Sequence, residues 1–73
     1  MRHIALSTIA RIATGMAARC VTADYMDEGG VKLTAGTKTV EMQLASSDWT
    51  LSDREFTHQF ITPMVHALCQ DGT

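Results

Sequence analysis

The chain has 73 residues, of which 45% are apolar and 19% charged, and its net charge at pH 7 is −2. This length has room for one hydrophobic core, so we expect a single small domain over residues 1–73. The acidic excess argues against direct nucleic-acid binding, which generally requires a strongly basic face. Membrane insertion is not expected either, because no apolar stretch approaches the roughly 18 residues that span a bilayer. The apolar start is too often interrupted for a secretion signal, by Ser7, Thr8, Arg11 and Thr14.

Apolar residues recur at helical spacing from Ser7 onward, which predicts an amphipathic N-terminal helix. Ser7 is its expected N-cap. Gly15 lies on the small, mildly basic outer face, where glycine costs about 1 kcal/mol relative to alanine. Residues 2–6 are compatible with either a short strand or an early helical turn. The stripe expected to pack on the core consists of Ile9, Ile12, Ala13, Met16 and Cys20.

Apolar and polar residues alternate over residues 31–34 and again over 39–44, which predicts a β-hairpin. A turn centred on residues 35–36 would place Val31 opposite Val40 on the buried face, and we prefer this register. A slip by one residue would oppose Val31 to a glutamate instead. Since two strands alone are marginally stable, a third strand from the N-terminus is compatible with the pattern.

A C-terminal helix is predicted to begin at Ser52, which has the N-cap role in a capping box with Glu55. Leu51 supplies the hydrophobic staple of the same motif. Pro63 then predicts a break or kink near Thr62, where the helix can restart. The fold class is therefore α+β, with a small sheet covered by helices on one face. The expected core side of the C-terminal helix comprises Phe56, Phe60, Ile61, Met64, Ala67 and Leu68.

The soft potential ligands do not form a metal motif. A zinc site needs four converging groups, and the sequence offers only His66 and Cys69 as a local pair, so we expect neither a metal nor another cofactor. The same pair lacks the third group of a nucleophilic site. No phosphate-binding loop follows the glycines. We therefore expect no enzyme activity, and we expect Cys20 and Cys69 to be buried thiols rather than a disulfide.

The strongest candidate for binding is the segment from residue 24 to residue 28. It combines an aromatic ring, a flexible thioether and three carboxylates, a mixture suited to a protein surface that carries basic residues. The alternative is a solvated acidic turn with the aromatic and thioether side chains folded inward. The candidate residues are Asp24, Tyr25, Met26, Asp27 and Glu28.

Basic residues around the first helix form a second candidate surface. Arg11 and Arg19, together with Arg2 and His3, would supply a basic counterpart to the acidic segment. The alternative is that these are scattered surface charges without a role. Trp49 is more typical of a residue that closes the edge of a small core than of an interface hot spot.

Taken whole, from Met1-Arg2-His3-Ile4 to Cys69-Gln70-Asp71-Gly72-Thr73, the chain resembles the small transcription inhibitors and antiterminators of Xanthomonas phages in length and α+β pattern. The resemblance implies a non-catalytic, phage-encoded regulator in the cytoplasm of a bacterial host. It implies binding to host RNA polymerase near the RNA exit channel, inhibition of initiation and passage through terminators. No interface residue follows from it. The alternative is another host-takeover inhibitor, such as an anti-CRISPR protein.

Overall fold

A computed structural model describes residues 4–70. It confirms the expected α+β domain, in which two helices cover one face of an antiparallel sheet. The elements in chain order are helix α1 (Leu6–Ala17), strand β1 (Thr22–Tyr25), strand β2 (Val31–Ala35), strand β3 (Lys38–Met42), a 3-10 helix (Ser46–Thr50) and a C-terminal helix over residues 53–69.

Helix α1 begins earlier than the sequence pattern predicted. Ala5 is the N-cap, with φ −76° and ψ 148°, and its carbonyl accepts the N–H groups of Thr8 and Ile9 at 3.0 Å. The expectation that Ser7 caps the helix is wrong. Ile4 is buried and Leu6 packs against the core, so the apolar pattern extends further toward the N-terminus and leaves Ser7 inside the first turn.

The helix also ends earlier than predicted. Ala18 adopts the left-handed conformation, with φ 57° and ψ 33°, and its N–H donates to the carbonyl of Thr14. Cys20 therefore lies outside the helix and is exposed, and Met16 is 43% exposed. Both were wrongly assigned to the core stripe. The predicted core residues Ile9, Ile12 and Ala13 do pack against the core, and Leu6 and Ala17 join them.

The sheet has three antiparallel strands in the order β1-β2-β3, so the predicted hairpin is confirmed as β2 and β3. The third strand is β1, which follows α1. A third strand formed by the N-terminal residues was also considered possible, but residues 4 and 5 are not in a strand. Residues 2 and 3 of that expectation lie outside the described range.

The hairpin register differs from the preferred one by two residues. Val31 lies opposite Met42, and Leu33 lies opposite Val40. The turn is Gly36-Thr37 rather than Ala35-Gly36, because Gly36 has a φ of +62°, the sign that a type II′ turn requires at its first central position. A shift of two residues keeps every side chain on its predicted face. The pattern therefore identified the buried face but not the turn.

The face of the sheet that lies away from the helices is polar. Asp24, Lys32 and Glu41 are directly opposite one another across the three strands, and their charges alternate in sign. The neighbouring row consists of Thr22, Thr34 and Thr39. Alternating charges and hydroxyl groups suit a face that remains in water.

The C-terminal helix begins as predicted. Ser52 is the N-cap, and its Oγ accepts the N–H of Glu55 at 3.2 Å. The interruption near Pro63 takes the form of a π-helical segment, Thr57–Ile61, inside a helix that otherwise continues. Pro63 has no N–H to donate one turn back, and the wider turn accommodates this loss. Thr62 has helical φ and ψ, so it does not restart the helix as an N-cap.

The π turn changes which residues of this helix face the core. Phe56 and Ile61 are both fully buried although they are five residues apart, the spacing that a π turn brings onto one face. The predicted core residue Ala67 is exposed, and Val65 is buried in its place. From the last residue of the π turn onward, the buried residues are Ile61, Met64, Val65 and Leu68. Neither α1 nor any other helix within residues 4–70 has the length and apolar character needed to cross a bilayer.

Candidate protein-binding site

The turn between β1 and β2 carries residues 26–28 of the acidic segment and is held by hydrogen bonds within the turn and from outside it. Within the turn, the N–H of Gly29 donates to the carbonyl of Met26 at 3.0 Å, and the N–H of Met26 donates to the carbonyl of Gly30 at 2.9 Å. From outside, Gln43 Nε2 donates to the carbonyl of Glu28 at 2.8 Å. These three hydrogen bonds therefore fix the backbone of the turn.

Gly30 is required by the close approach of two backbone segments. A Cβ atom at this position would overlap the carbonyl oxygen of Met42 and would lie 3.2 Å from the Cα of Gln43. It would also lie 3.2 Å from the sulfur of Met26. Because backbone atoms cannot move aside as a flexible side chain can, no larger residue fits here without displacing the end of β3.

Trp49 forms a wall beside the turn. Its Nε1–H donates to the carbonyl of Gly29 at 3.2 Å, and its ring is 5.4 Å from the ring of Phe56 between centroids. Only 8% of Trp49 is exposed. The expectation that Trp49 closes the edge of the core agrees with this position. It also supports the turn, a role that the sequence analysis did not assign.

Tyr25, the last residue of β1, stands against Trp49 and faces solvent. The two ring centroids are 5.5 Å apart and the ring planes meet at 68°, an edge-to-face arrangement that aromatic pairs favour. Tyr25 is nevertheless 53% exposed, and Met16 is the other large apolar residue that the described chain exposes to this degree. The alternative in which Tyr25 folds inward is therefore wrong, whereas Met26 is half-buried.

These side chains surround an open cleft with a volume of about 260 Å³. Three of the residues predicted for binding line it, together with three that were not predicted. The lining comprises Tyr25, Met26, Asp27, Gly29, Gly30 and Trp49. The Gly-Gly pair and the tryptophan are visible in the sequence but were not assigned to this surface, because only the fold brings them together with Tyr25 and Asp27.

The remaining predicted residues are distributed over other surfaces. Asp24 is opposite Lys32 on the outer face of the sheet, away from the cleft, and the exposed Glu28 stays in the turn. Arg19 lies beside Gly36 in the β2–β3 turn, at the opposite end of the sheet from the acidic turn. Arg11 is exposed on the side of α1 away from the core. Arg2 and His3 lie outside the described residues.

Cys20 and Cys69 are free and exposed, so the expectation of buried thiols is wrong: one follows the end of α1 and the other is the last residue of the C-terminal helix. Between residues 4 and 70 no group of three histidine, cysteine or acidic side chains is placed to hold a metal ion.

Comparison of the chain with models of protein families, with curated proteins and with solved structures finds no match.

Proposed function

We propose that the chain is a non-catalytic protein-binding domain that uses the cleft and the acidic turn to bind a basic surface on its partner. The observation that carries this proposal is the exposed ring of Tyr25, which packs against Trp49 and lines the same cleft as Asp27. Exposed aromatic rings on a rigid support are typical of the residues that contribute most to protein interfaces.

Rigidity of the turn supports the same proposal. Four backbone groups of residues 26–30 and the side chains of Gln43 and Trp49 hold it in one conformation. A surface that is already ordered loses less conformational entropy on binding, so a small contact area can give useful affinity. The exposed carboxylates of Asp27 and Glu28 add long-range attraction to a basic partner.

The partner that the resemblance to the Xanthomonas phage regulators implies is bacterial RNA polymerase, in the host cytoplasm. Binding near the RNA exit channel would inhibit initiation and favour antitermination. A domain with net charge −2 is suited to a protein surface rather than to the RNA itself.

The test is a binding measurement between the purified chain and bacterial core RNA polymerase, together with transcription from a template that carries a promoter and a terminator. We expect saturable binding, reduced initiation and increased read-through. Tyr25→Ser should weaken binding about tenfold or more, the effect of removing an interface hot spot.

Met16→Ser is the matched control, because Met16 is the other large exposed apolar residue and lies on α1. This variant should bind like the parent. Equal affinities of the parent and Tyr25→Ser would exclude the cleft as the binding site. Failure of the parent to bind polymerase, combined with capture of a nuclease complex from a bacterial lysate, would replace the partner with that of the anti-CRISPR alternative.

A further inference from the structure

The cleft has the features of a site for an organic cation. Tyr25 and Trp49 present two aromatic rings at 68° to each other, and Asp27 adds a carboxylate to the same lining. The negative face of an aromatic ring attracts a cation that lies within about 6 Å of its centroid. None of the six described lining residues is basic, so none of these six would repel a bound cation.

The distribution of charge around the cleft favours the same ligand. Asp27 and Glu28 are adjacent in the turn and exposed. Two of the described basic residues lie elsewhere: Lys32 is on the outer face of the sheet opposite Asp24, and Arg19 is at the other end of the sheet. Neither of these two cations lies beside the acidic turn.

The size of the cleft points to a side chain rather than to a free small molecule. Its volume of about 260 Å³ is less than the roughly 300–1,000 Å³ of typical small-molecule sites. A guanidinium group is planar, so it can stack on an aromatic face while its N–H groups donate to a carboxylate in the plane. An ammonium group is more strongly hydrated and cannot stack in this way.

We propose that the cleft binds the guanidinium group of an arginine side chain on the partner protein, between the ring of Tyr25 and the carboxylate of Asp27. This inference rests on the proposed protein-binding function and names the chemistry that the cleft recognises. Trp49 supports the ring of Tyr25 and holds the turn, and it reports on occupancy because it is the single tryptophan of the chain.

The probe is the capped tripeptide acetyl-Gly-Arg-Gly-amide, titrated into the isotopically labelled protein while the indole N–H resonance of Trp49 is followed by NMR. Two matched peptides replace arginine by citrulline, which has nearly the same shape without the charge, or by lysine. We expect the arginine peptide to bind about tenfold more tightly than the citrulline peptide, and more tightly than the lysine peptide.

The variants Asp27→Asn and Tyr25→Leu should each weaken binding of the arginine peptide about five- to tenfold while the protein remains folded. Asp24→Asn is the control for Asp27→Asn: it removes the same charge on the outer face of the sheet and should change the affinity less than twofold.

Equal binding of the arginine and citrulline peptides would overturn the inference, as would no saturable shift of the Trp49 resonance. If polymerase binds and is sensitive to Tyr25→Ser while the arginine peptide does not bind, the inference fails and the proposed function stands. If the arginine peptide binds in the cleft but polymerase does not, the cation site is supported and polymerase is excluded as the partner.

Discussion

The ring of Tyr25 stands 5.5 Å from the ring of Trp49, edge to face, and this contact joins the exposed end of β1 to the hydrophobic core. Trp49 in turn lies 5.4 Å from Phe56, and Phe56 lies 5.2 Å from Phe60. These four residues are all the aromatic side chains of the chain. The candidate binding surface and the core are therefore parts of one continuous aromatic row.

Trp49→Phe tests the structural role of the tryptophan within this row. The change retains an aromatic ring but removes the Nε1–H that donates to the carbonyl of Gly29, and it leaves space beside the turn. We expect a loss of about 1–2 kcal/mol in the free energy of unfolding, measured by urea denaturation. Tyr25→Phe is the control, because it keeps the ring contact and removes only a hydroxyl group from a half-exposed residue; its stability should match the parent. Equal stability of both variants would show that Trp49 does not hold the turn.

The two serines that the sequence suggested as helix caps make a second test. Ser52 accepts the N–H of Glu55 at 3.2 Å, whereas α1 is capped at Ala5 and has no side-chain cap. Ser52→Ala should therefore cost about 1 kcal/mol. Ser7→Ala should leave stability unchanged or raise it by a few tenths, because alanine is the better residue inside a helix. Thermal melting of both variants distinguishes them, and a larger loss at Ser7 than at Ser52 would contradict the helix boundaries.

This pair also shows what sequence patterns could determine. The N-cap at Ser52 is a local motif, in which the Oγ of Ser52 accepts the N–H of Glu55, so it was readable without the fold. The carboxylate of Glu55 accepts from the Ser52 hydroxyl at 3.4 Å rather than from the backbone N–H of Ser52 as a full capping box requires. The start of α1 depends on the burial of Ile4 and on the packing of Leu6 against distant residues. A pattern read along the chain cannot supply those contacts, and Ser7 was therefore assigned a role that Ala5 has.

The candidate site, like the helix boundaries, could be predicted only in part from the sequence. Composition alone identified the acidic segment, and the structure places Tyr25, Met26 and Asp27 around one cleft. The pattern could not separate Asp24 from Asp27, because their relative position depends on the pairing of β1 with β2. Nor could the pattern predict the π turn, which rotates the core face of the C-terminal helix. As a result Val65 is buried, whereas the predicted core residue Ala67 is exposed.

Gly15, inside α1, and Ala18, just after its end, allow a test of the helix boundary. A Cβ added at Gly15 would meet no atom within 4 Å, so Gly15→Ala should stabilise the protein by about 1 kcal/mol through helix propensity. Ala18 has a φ of 57°, a conformation that costs a residue other than glycine about 1–2 kcal/mol. Because glycine also loses more entropy on folding, Ala18→Gly should give a smaller gain, roughly 0.5 kcal/mol.

Urea denaturation of the two single variants measures both changes. Ala10→Gly is the control for the second, since it introduces glycine in the middle of the same helix and should destabilise the protein by about 1 kcal/mol. A loss of stability in Ala18→Gly comparable to that in Ala10→Gly would indicate that α1 continues past Ala17.

The last prediction concerns the charges of the acidic segment. The acidic segment predicted from the sequence contains three carboxylates, and replacement of Asp24, Asp27 and Glu28 by serine should weaken the proposed binding to RNA polymerase and reduce its salt dependence. The structure divides this set, because Asp24 faces Lys32 on the outer sheet surface while Asp27 and Glu28 are in the turn. The double variant Asp27→Ser/Glu28→Ser should therefore reproduce most of the effect.

We expect the double variant to bind about three- to tenfold more weakly at low salt, with little difference from the parent at high salt, since screening removes the contribution of exposed charges. Asp24→Ser should behave like the parent at every salt concentration, and Glu41→Ser, on the same outer face, serves as the charge control. Circular dichroism establishes that each variant is folded. If Asp24→Ser weakens binding as much as the double variant does, the partner contacts the outer face of the sheet, and the interface must then be sought along the row formed by Asp24, Lys32 and Glu41.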